Sequence, residues 1–182
     1  RAGNAVGWSS WSSTRSFTTI PKASGQTGNI AIGAHDGYQG GTEATHTTAA
    51  MTTQSSGSTF VVCIAWPHGQ NLGATDTVTD SKSNKYTRIG NIYDDGIIQS
   101  GIYYCQNGTG GTNHTFSLSL NGANVASMFV AEITGGLTSG ILDKSPAGLS
   151  DASSPYTSNL TGTTSQPVEM LLGFVVTITT SG

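Results

Sequence analysis

Charge is what this sequence lacks most. Only 9% of its 182 residues are charged, against about 25% in ordinary soluble domains. The chain has seven lysines and arginines in total. Non-specific affinity for nucleic acid comes from cationic side chains that replace the counterions of the phosphates, and seven are too few to form such a surface. The sequence therefore predicts no nucleic-acid partner.

Long apolar runs are also missing. The densest apolar stretches, residues 60–66 and 170–176, have the length of buried strands and fall far short of the roughly 20 residues that cross a bilayer. We therefore predict no membrane span. The chain begins with Arg1 and has no signal-like segment, which we expect of a processed or trimmed product.

Cysteine is scarce, with Cys63 and Cys105 as the two thiols of the chain. Both lie in apolar, strand-like contexts, where a buried free thiol is common. The alternative is a disulfide, which would stabilise the fold by roughly 4 kcal/mol because it closes a long loop. The sequence leaves both alternatives open.

Hydroxyl groups and glycine are abundant. Serine and threonine make up about a quarter of the chain, which also has 25 glycines. No apolar period of 3.6 residues persists for ten residues, and turn signals separate short apolar segments throughout. This pattern predicts an all-β fold, a single β-sandwich (jelly-roll or Ig-like) of about nine to eleven short antiparallel strands.

Five segments illustrate the predicted strands and their limits. Residues 60–66 are apolar on both faces, which predicts a strand in the middle of a sheet. Two earlier strands are predicted at 29–33 and 45–52, with the glycine-rich stretch 36–41 between them. Residues 170–178 are predicted to close the chain as a last core strand.

The first 28 residues differ from the rest. Residues 1–28 are serine-rich and carry Trp8, Trp11 and Phe17 without a lasting period. Since large aromatic side chains are rarely left in water, we predict an extended N-terminal arm whose three aromatics contact the same domain or a neighbour. Residues 29–182 form the predicted β-sandwich domain.

The candidate ligands for a metal ion are carboxylates in predicted loops. They are Asp76, Asp80, Asp94 and Asp95. Calcium prefers such oxygen ligands, but aspartates beside Gly, Ser and Asn also form turns without any metal. The sequence therefore predicts no cofactor, with calcium as the weaker alternative.

One acidic residue lies in a strand. Glu132 follows Met128 and Val130 on one face of the predicted strand 125–133, where desolvation raises a carboxyl pKa and suits an acid catalyst. A glycan-active enzyme would place a second carboxylate across a cleft from it. The structural alternative is that Glu132 lies at the strand end and reaches water or a backbone donor.

Aromatic residues offer a sugar-binding surface as another hypothesis. Trp66, Tyr103 and Tyr104 are the candidates for stacking, and the adjacent tyrosines place one ring on each face of their strand. The more common role of such rings is to anchor a core or its rim.

Residues 58–136 resemble a β-sandwich domain of bacteriophage virion proteins and bacterial secreted or surface proteins. The apolar strand 59–65, the segment 78–87, the strand 115–120 and the segment 130–136 carry the resemblance. Its most specific part is the hairpin with Asp80, Asn84 and Tyr86. The resemblance covers under half of the chain, implies surface display and assembly, and transfers no catalytic residue.

We therefore predict a non-enzymatic structural module at a virion surface or on an extracellular filament. It would associate with copies of itself, or with other virion or filament subunits, through the arm and the sheet edges. Low charge favours such packing because few ions must be desolvated. The alternatives are an adhesion module that binds a cell-surface glycan and, third, the glycan-active enzyme.

Overall fold

The computed structural model describes most of the predicted domain and little of the arm. The described residues are 29–70, 77–122, 124–145, 162–166 and 168–176, with the backbone alone for 3–4 and 7–8. The side chains of Trp8, Trp11 and Phe17 lie outside the described residues, as does Asp76. The predicted arm contacts therefore stay predictions.

Ten strands occur in the described residues. They are β1 (Gly3–Asn4), β2 (Gly7–Trp8), β3 (Ala31–Gly40), β4 (Thr45–Thr47), β5 (Ser58–Pro67), β6 (Val78–Asp80), β7 (Thr87–Asp94), β8 (Ile98–Gly108), β9 (Phe116–Ser119) and β10 (Ala126–Thr134). β1 and β2 form a short hairpin, and every pair of neighbouring strands is antiparallel.

The other eight strands form two sheets. A five-stranded sheet has the order β3-β10-β5-β8-β7, and a three-stranded sheet has the order β4-β9-β6. The two sheets pack together, which confirms the prediction of an all-β sandwich. The described segments contain no helix of the length and apolarity that a bilayer crossing needs.

The core lies between the two sheets. Phe60 and Val62 of β5 are fully buried, as are Phe116 and Leu118 of β9. The rings of Phe60 and Phe116 meet edge to face with their centroids 5.4 Å apart. The strict alternation of apolar and hydroxyl residues along β9 produces this packing, because successive side chains point to opposite faces.

β5 occupies the centre of the large sheet, as its sequence predicts. It pairs with β10 on one side and β8 on the other. Phe60 and Ile64 face the core, whereas Cys63 and Ala65 face outward and are still only 2% and 3% exposed. Cys63 pairs with Phe129 on one side and with Ile102 on the other, so two larger apolar side chains flank the thiol on the outer face.

The structure corrects the strand prediction for residues 29–41. A single strand, β3, runs through the glycine-rich stretch that the sequence assigned to a loop. Gly37 pairs with Phe129 of β10, and a Cβ at Gly37 would lie 3.9 Å from the Phe129 ring. Glycine is accommodated here because the neighbouring aromatic ring lies beside the bare backbone.

The prediction of a last core strand at 170–178 is also wrong for the described residues 170–176. None of residues 168–176 belongs to a strand, and Leu171 and Val175 are 79% and 60% exposed. The segment has the composition of a strand but no partner strand in the described structure. Residues 177–178 lie outside the described residues.

The cysteines are free thiols. Cys63 pairs with Ile102, whereas Cys105 pairs with Phe60, whose side chain is in the core. Since paired residues point to the same face and neighbours along a strand alternate, the two thiols lie on opposite faces of the sheet. Burial raises the pKa of Cys63 to about 12, which keeps it protonated at neutral pH.

Candidate functional site

Asp80 organises a polar cluster at the end of β6. Its Oδ1 accepts hydrogen bonds from the backbone N–H groups of Lys82 and Asn84, at 2.9 and 3.0 Å. Its Oδ2 accepts from the Asn84 amide at 2.6 Å and from the Tyr86 hydroxyl at 2.7 Å. The turn needs this aspartate because Ser83 has a left-handed φ of 61°, which local side-chain acceptors stabilise.

The same carboxylate reaches His114, which lies 34 residues further along the chain. His114 Nε2 is 3.0 Å from Asp80 Oδ2, and both side chains are fully buried. The imidazole stacks on Phe116 with ring centroids 4.3 Å apart. Its other nitrogen, Nδ1, lies 3.0 Å from the Thr53 hydroxyl.

Thr53, His114 and Asp80 thus form a hydroxyl–imidazole–carboxylate chain, an order found where a base activates a nucleophile. Here the hydroxyl also accepts a hydrogen bond from the backbone N–H of Gly111 at 3.0 Å. Thr53 is only 7% exposed and His114 is fully buried. These hydrogen bonds therefore connect two loops with β6, and the side chains that make them are buried in the described structure.

Burial and hydrogen bonding set the charge states of Asp80 and Tyr86. Burial opposes ionisation of Asp80, but the hydrogen bonds from Tyr86, Asn84 and His114 outweigh it and lower the pKa of the carboxyl. Burial and the neighbouring Asp80 carboxylate raise the pKa of Tyr86 far above its usual range. Asp80 is accordingly an anion and Tyr86 a neutral donor at neutral pH.

Glu132 forms a second buried carboxylate centre, at an irregularity of the large sheet. Ala131 pairs with His35 and Ile133 pairs with Ile32, so two residues of β3 lie opposite Glu132 alone. This is a β-bulge, which leaves a ladder N–H unpaired. The Ala34 N–H donates to Glu132 Oε2 at 3.1 Å. The carboxylate thereby replaces the backbone acceptor that the bulge removes.

The other oxygen of Glu132 binds the segment before β5. Oε1 accepts from the Gln54 N–H at 2.8 Å and from the Ser58 hydroxyl at 2.6 Å. Glu132 is 3% exposed, and no second carboxyl is among its hydrogen-bond partners in the described structure. The arrangement matches the structural alternative, in which Glu132 accepts from backbone donors.

The loop carboxylates proposed for calcium accept hydrogen bonds from protein donors. Asp94 accepts from the Gly96 N–H at 2.9 Å and from the His68 ring at 2.7 Å. Asp95 accepts from the N–H groups of the next turn at 2.8 and 2.9 Å. The described residues contain no cluster of three metal-binding side chains, and these carboxylates build the β7–β8 hairpin.

The three candidate stacking rings lie in different environments. Trp66 is 2% exposed and its indole N–H donates to the Gln70 carbonyl at 2.8 Å, so its ring has no free face for a sugar. Tyr103 is 8% exposed and packs in the core. Tyr104 is half-buried on the outer face of the large sheet, as the alternation of neighbouring rings predicts.

That outer face carries an apolar row across all five strands. Strand pairing aligns Gly37, Phe129, Cys63, Ile102 and Ile89 in this order. Phe129 is 43% exposed, and Ile102 and Ile89 are half-buried. The sequence indicates that β5 is apolar on both faces, but the alignment of this row depends on the register of four strand pairs.

A shallow apolar groove lies at one end of the sandwich. Its volume is about 280 Å³, and its lining residues are Ala65, Trp66, Pro67, Ile97, Ile98, Val125, Ala126 and Ser127. Ile97 and Val125 at its rim are 67% and 46% exposed. Sequence reasoning missed this groove because its walls come from three separate loop-to-strand junctions.

The chain was also compared with known proteins. No protein-family model, curated protein or solved structure matches it. The function therefore has to be argued from the residues and contacts described above.

Proposed function

We propose that this protein is a non-enzymatic assembly module that acts through sheet edges and apolar surface. The observation that carries the proposal is the exposed apolar surface at the β3 side of the large sheet. There, Ile32 is 59% exposed and Phe129 is 43% exposed. Strand pairing places both side chains on the outer face, near the β3 edge, and large apolar side chains exposed on one face are typical of contact sites between proteins.

The interior chemistry supports the same proposal. Asp80 and Glu132, two buried carboxylates of the described residues, accept hydrogen bonds from turns and strands. Their role is to hold loops and the bulge in place. A rigid scaffold of this kind suits a protein that functions by shape and contact.

The composition and the resemblance of residues 58–136 support a location at a virion surface or on an extracellular filament. The formal charge of −3 on 182 residues gives copies little mutual repulsion. Partners are then further copies of this chain or other subunits of the same assembly.

Sedimentation velocity and negative-stain electron microscopy of the full chain test the proposal over a range of concentrations. We expect ordered oligomers or filaments, which the double variant Ile32→Thr/Phe129→Thr weakens. Leu142→Thr is the matched control, since Leu142 is 41% exposed outside the strands. A monodisperse monomer at all concentrations would contradict the proposal.

The predicted arm is tested separately. Deletion of residues 1–17 should reduce assembly if Trp8, Trp11 and Phe17 contact a neighbour. Unchanged assembly of the truncated chain would reject a role of the arm in assembly. The surface of the large sheet would then remain as the proposed contact.

Carbohydrate binding is the second candidate, and one observation favours it. Tyr104 and Tyr93 are both half-buried on the outer face, where they pair with Thr87 and Ser100. Rings beside hydroxyl groups suit a sugar surface. A glycan array with and without Ca²⁺ should show binding that Tyr93→Ala/Tyr104→Ala abolishes, and an array without signals would reject this candidate.

A further inference from the structure

Residues 168–176 have the properties of a strand that lacks a partner. Residues 168–170 are all half-buried. After them, Leu171 and Val175 are 79% and 60% exposed and Leu172 is 39% exposed, whereas Phe174 and Val176 are half-buried. The lower exposure of the even-numbered positions from 172 to 176 is typical of an extended segment with two different faces. Residues 170–176 contain no charged side chain, so nothing in them opposes burial.

The start of this segment is held to the domain. Ser165 donates a hydrogen bond from its hydroxyl to Asp143 Oδ1 at 2.6 Å, and its N–H donates to the other carboxylate oxygen. The Gln166 N–H donates to Glu169 at 3.0 Å. The apolar residues therefore follow a point that is joined by hydrogen bonds to the loop after β10.

Among the edges that the described strands leave unpaired, the β3 edge is best suited to accept a strand. It is ten residues long, and His35 and Asp36 are its only titratable side chains apart from Tyr38. Natural edge strands are commonly protected by lysine, proline or irregular geometry. From His35 to Gln39 the pairing of β3 with β10 is regular and includes no lysine or proline. Gly40, the last residue of the strand, has a φ of 91°, so the departure from extended geometry lies at its end, whereas Gly90 lies inside β7.

The other edges are less suitable. β7 carries Arg88, and its register with β8 is interrupted between Ile89 and Tyr93. Gly90 within this interruption has a φ of 64°, which breaks the extended geometry. The edge strands of the small sheet, β4 and β6, have three residues each, too few to hold a strand of nine.

The side chains beside β3 are also complementary to the segment. Gly37 has no side chain between the sheet edge and Phe129, which is 43% exposed. Ile32, which is on β3 like Gly37, is 59% exposed. A strand added beside β3 would bring its apolar side chains against both residues and would extend the apolar row by one strand.

We propose that residues 168–176 of one molecule add to the β3 edge of a second copy as a sixth strand. The inference rests on the proposed assembly function and names its contact. Within one molecule the segment is not in a strand, although it is anchored at Ser165, and this favours a second copy as the acceptor. Reciprocal addition gives a closed dimer, whereas head-to-tail addition gives a filament.

Two pairs of matched variants of the full chain test this contact. Leu171→Lys/Val175→Lys alters the donor segment, and its control is Thr163→Lys/Thr164→Lys, at positions that are also exposed. His35→Lys/Gln39→Lys alters the acceptor edge, and its control is Thr87→Lys/Asn91→Lys on β7, again at exposed positions. All four variants gain two lysines at exposed positions, so the folded monomer should tolerate each.

We expect the donor and acceptor variants to weaken self-association about tenfold or more, as measured by sedimentation. The two controls should associate like the wild type. Hydrogen exchange should also show protection of backbone amides in β3 and in residues 168–176 when the wild-type chain assembles.

The outcomes separate this inference from the proposed function. Wild-type assembly that donor and acceptor variants leave unchanged would overturn the strand addition and keep the assembly function. Equal weakening in all four variants would overturn it as well, because the effect would then be one of general charge. A wild-type chain that is monomeric throughout would overturn both.

Discussion

Asp80 and Glu132 are both buried carboxylates, but their hydrogen-bond partners lie at different distances along the chain. Asp80 accepts hydrogen bonds from Lys82, Asn84 and Tyr86, all within six residues, and His114 joins this local set. The partners of Glu132 lie 74 to 98 residues away.

This difference has a physical consequence for folding. The Asp80 turn makes most of its hydrogen bonds within one hairpin, where closing the loop costs little entropy. Glu132 receives its hydrogen bonds only when β3, β5 and β10 are in register. We infer that the first cluster directs local structure and the second one secures the finished sheet.

The largest effect is expected from Asp80→Ala. Removing the carboxylate leaves the Asn84 backbone N–H, the Tyr86 hydroxyl and the His114 ring without the acceptor they share, which should lower the free energy of unfolding by about 3–5 kcal/mol. Urea denaturation at pH 7 measures this loss. Asp95→Ala is the control in an exposed turn. An equal loss of stability in this variant would contradict a larger contribution from the buried hydrogen bonds of Asp80.

Glu132→Gln should have a smaller effect, of about 2–3 kcal/mol. An amide can keep the hydrogen bonds to one oxygen, but its NH₂ group would face a donor at the other. We expect a lower urea midpoint and faster hydrogen exchange at Ala34 in the bulge. Glu43→Gln, whose side chain is 62% exposed, should change stability by no more than about 0.5 kcal/mol.

The pH dependence sharpens the role of Asp80. Because the folded-state pKa of Asp80 is lowered, its contribution to stability is present above the unfolded pKa of about 3.9 and is lost as the pH falls through the folded pKa. Tyr86→Phe removes one of the hydrogen bonds that lower this pKa. We expect acid unfolding at a higher pH than in the wild type, and a raised Asp80 pKa by carboxyl ¹³C NMR.

An Asp80 titration that is identical in Tyr86→Phe and wild type would contradict this account of the shift. Tyr93→Phe provides a control, since the Tyr93 side chain lies on the outer face of the sheet, opposite to the core.

Thr53→Val should have the smallest effect. It removes the hydroxyl that accepts from the Gly111 N–H and contacts His114, at a cost of about 1 kcal/mol. Since His114 keeps its bond to Asp80, the cluster should persist. Thermal unfolding measures the loss in the free energy of unfolding. A loss as large as that of Asp80→Ala would show that Thr53 stabilises the cluster as much as Asp80 does.

Much of the fold could be predicted from local pattern. The alternation of β9 and the two apolar faces of β5 predict their positions in the sandwich, because side-chain direction alternates along any strand. The Asp80 turn was identified by its residues, although its buried bond to His114 was not. Residues 168–176 show the limit, since strand-like composition does not provide a partner strand.

The sequence by itself determined the all-β class, the central place of β5 and the near absence of charge, all of which depend on residue type and short-range periodicity. Only the tertiary structure decided that β3 runs through its glycines, that the cysteines point to opposite faces and that Glu132 completes a bulge. Those features depend on the register between strands that are far apart in the chain. A shift of register by one residue would reverse every side chain on a strand.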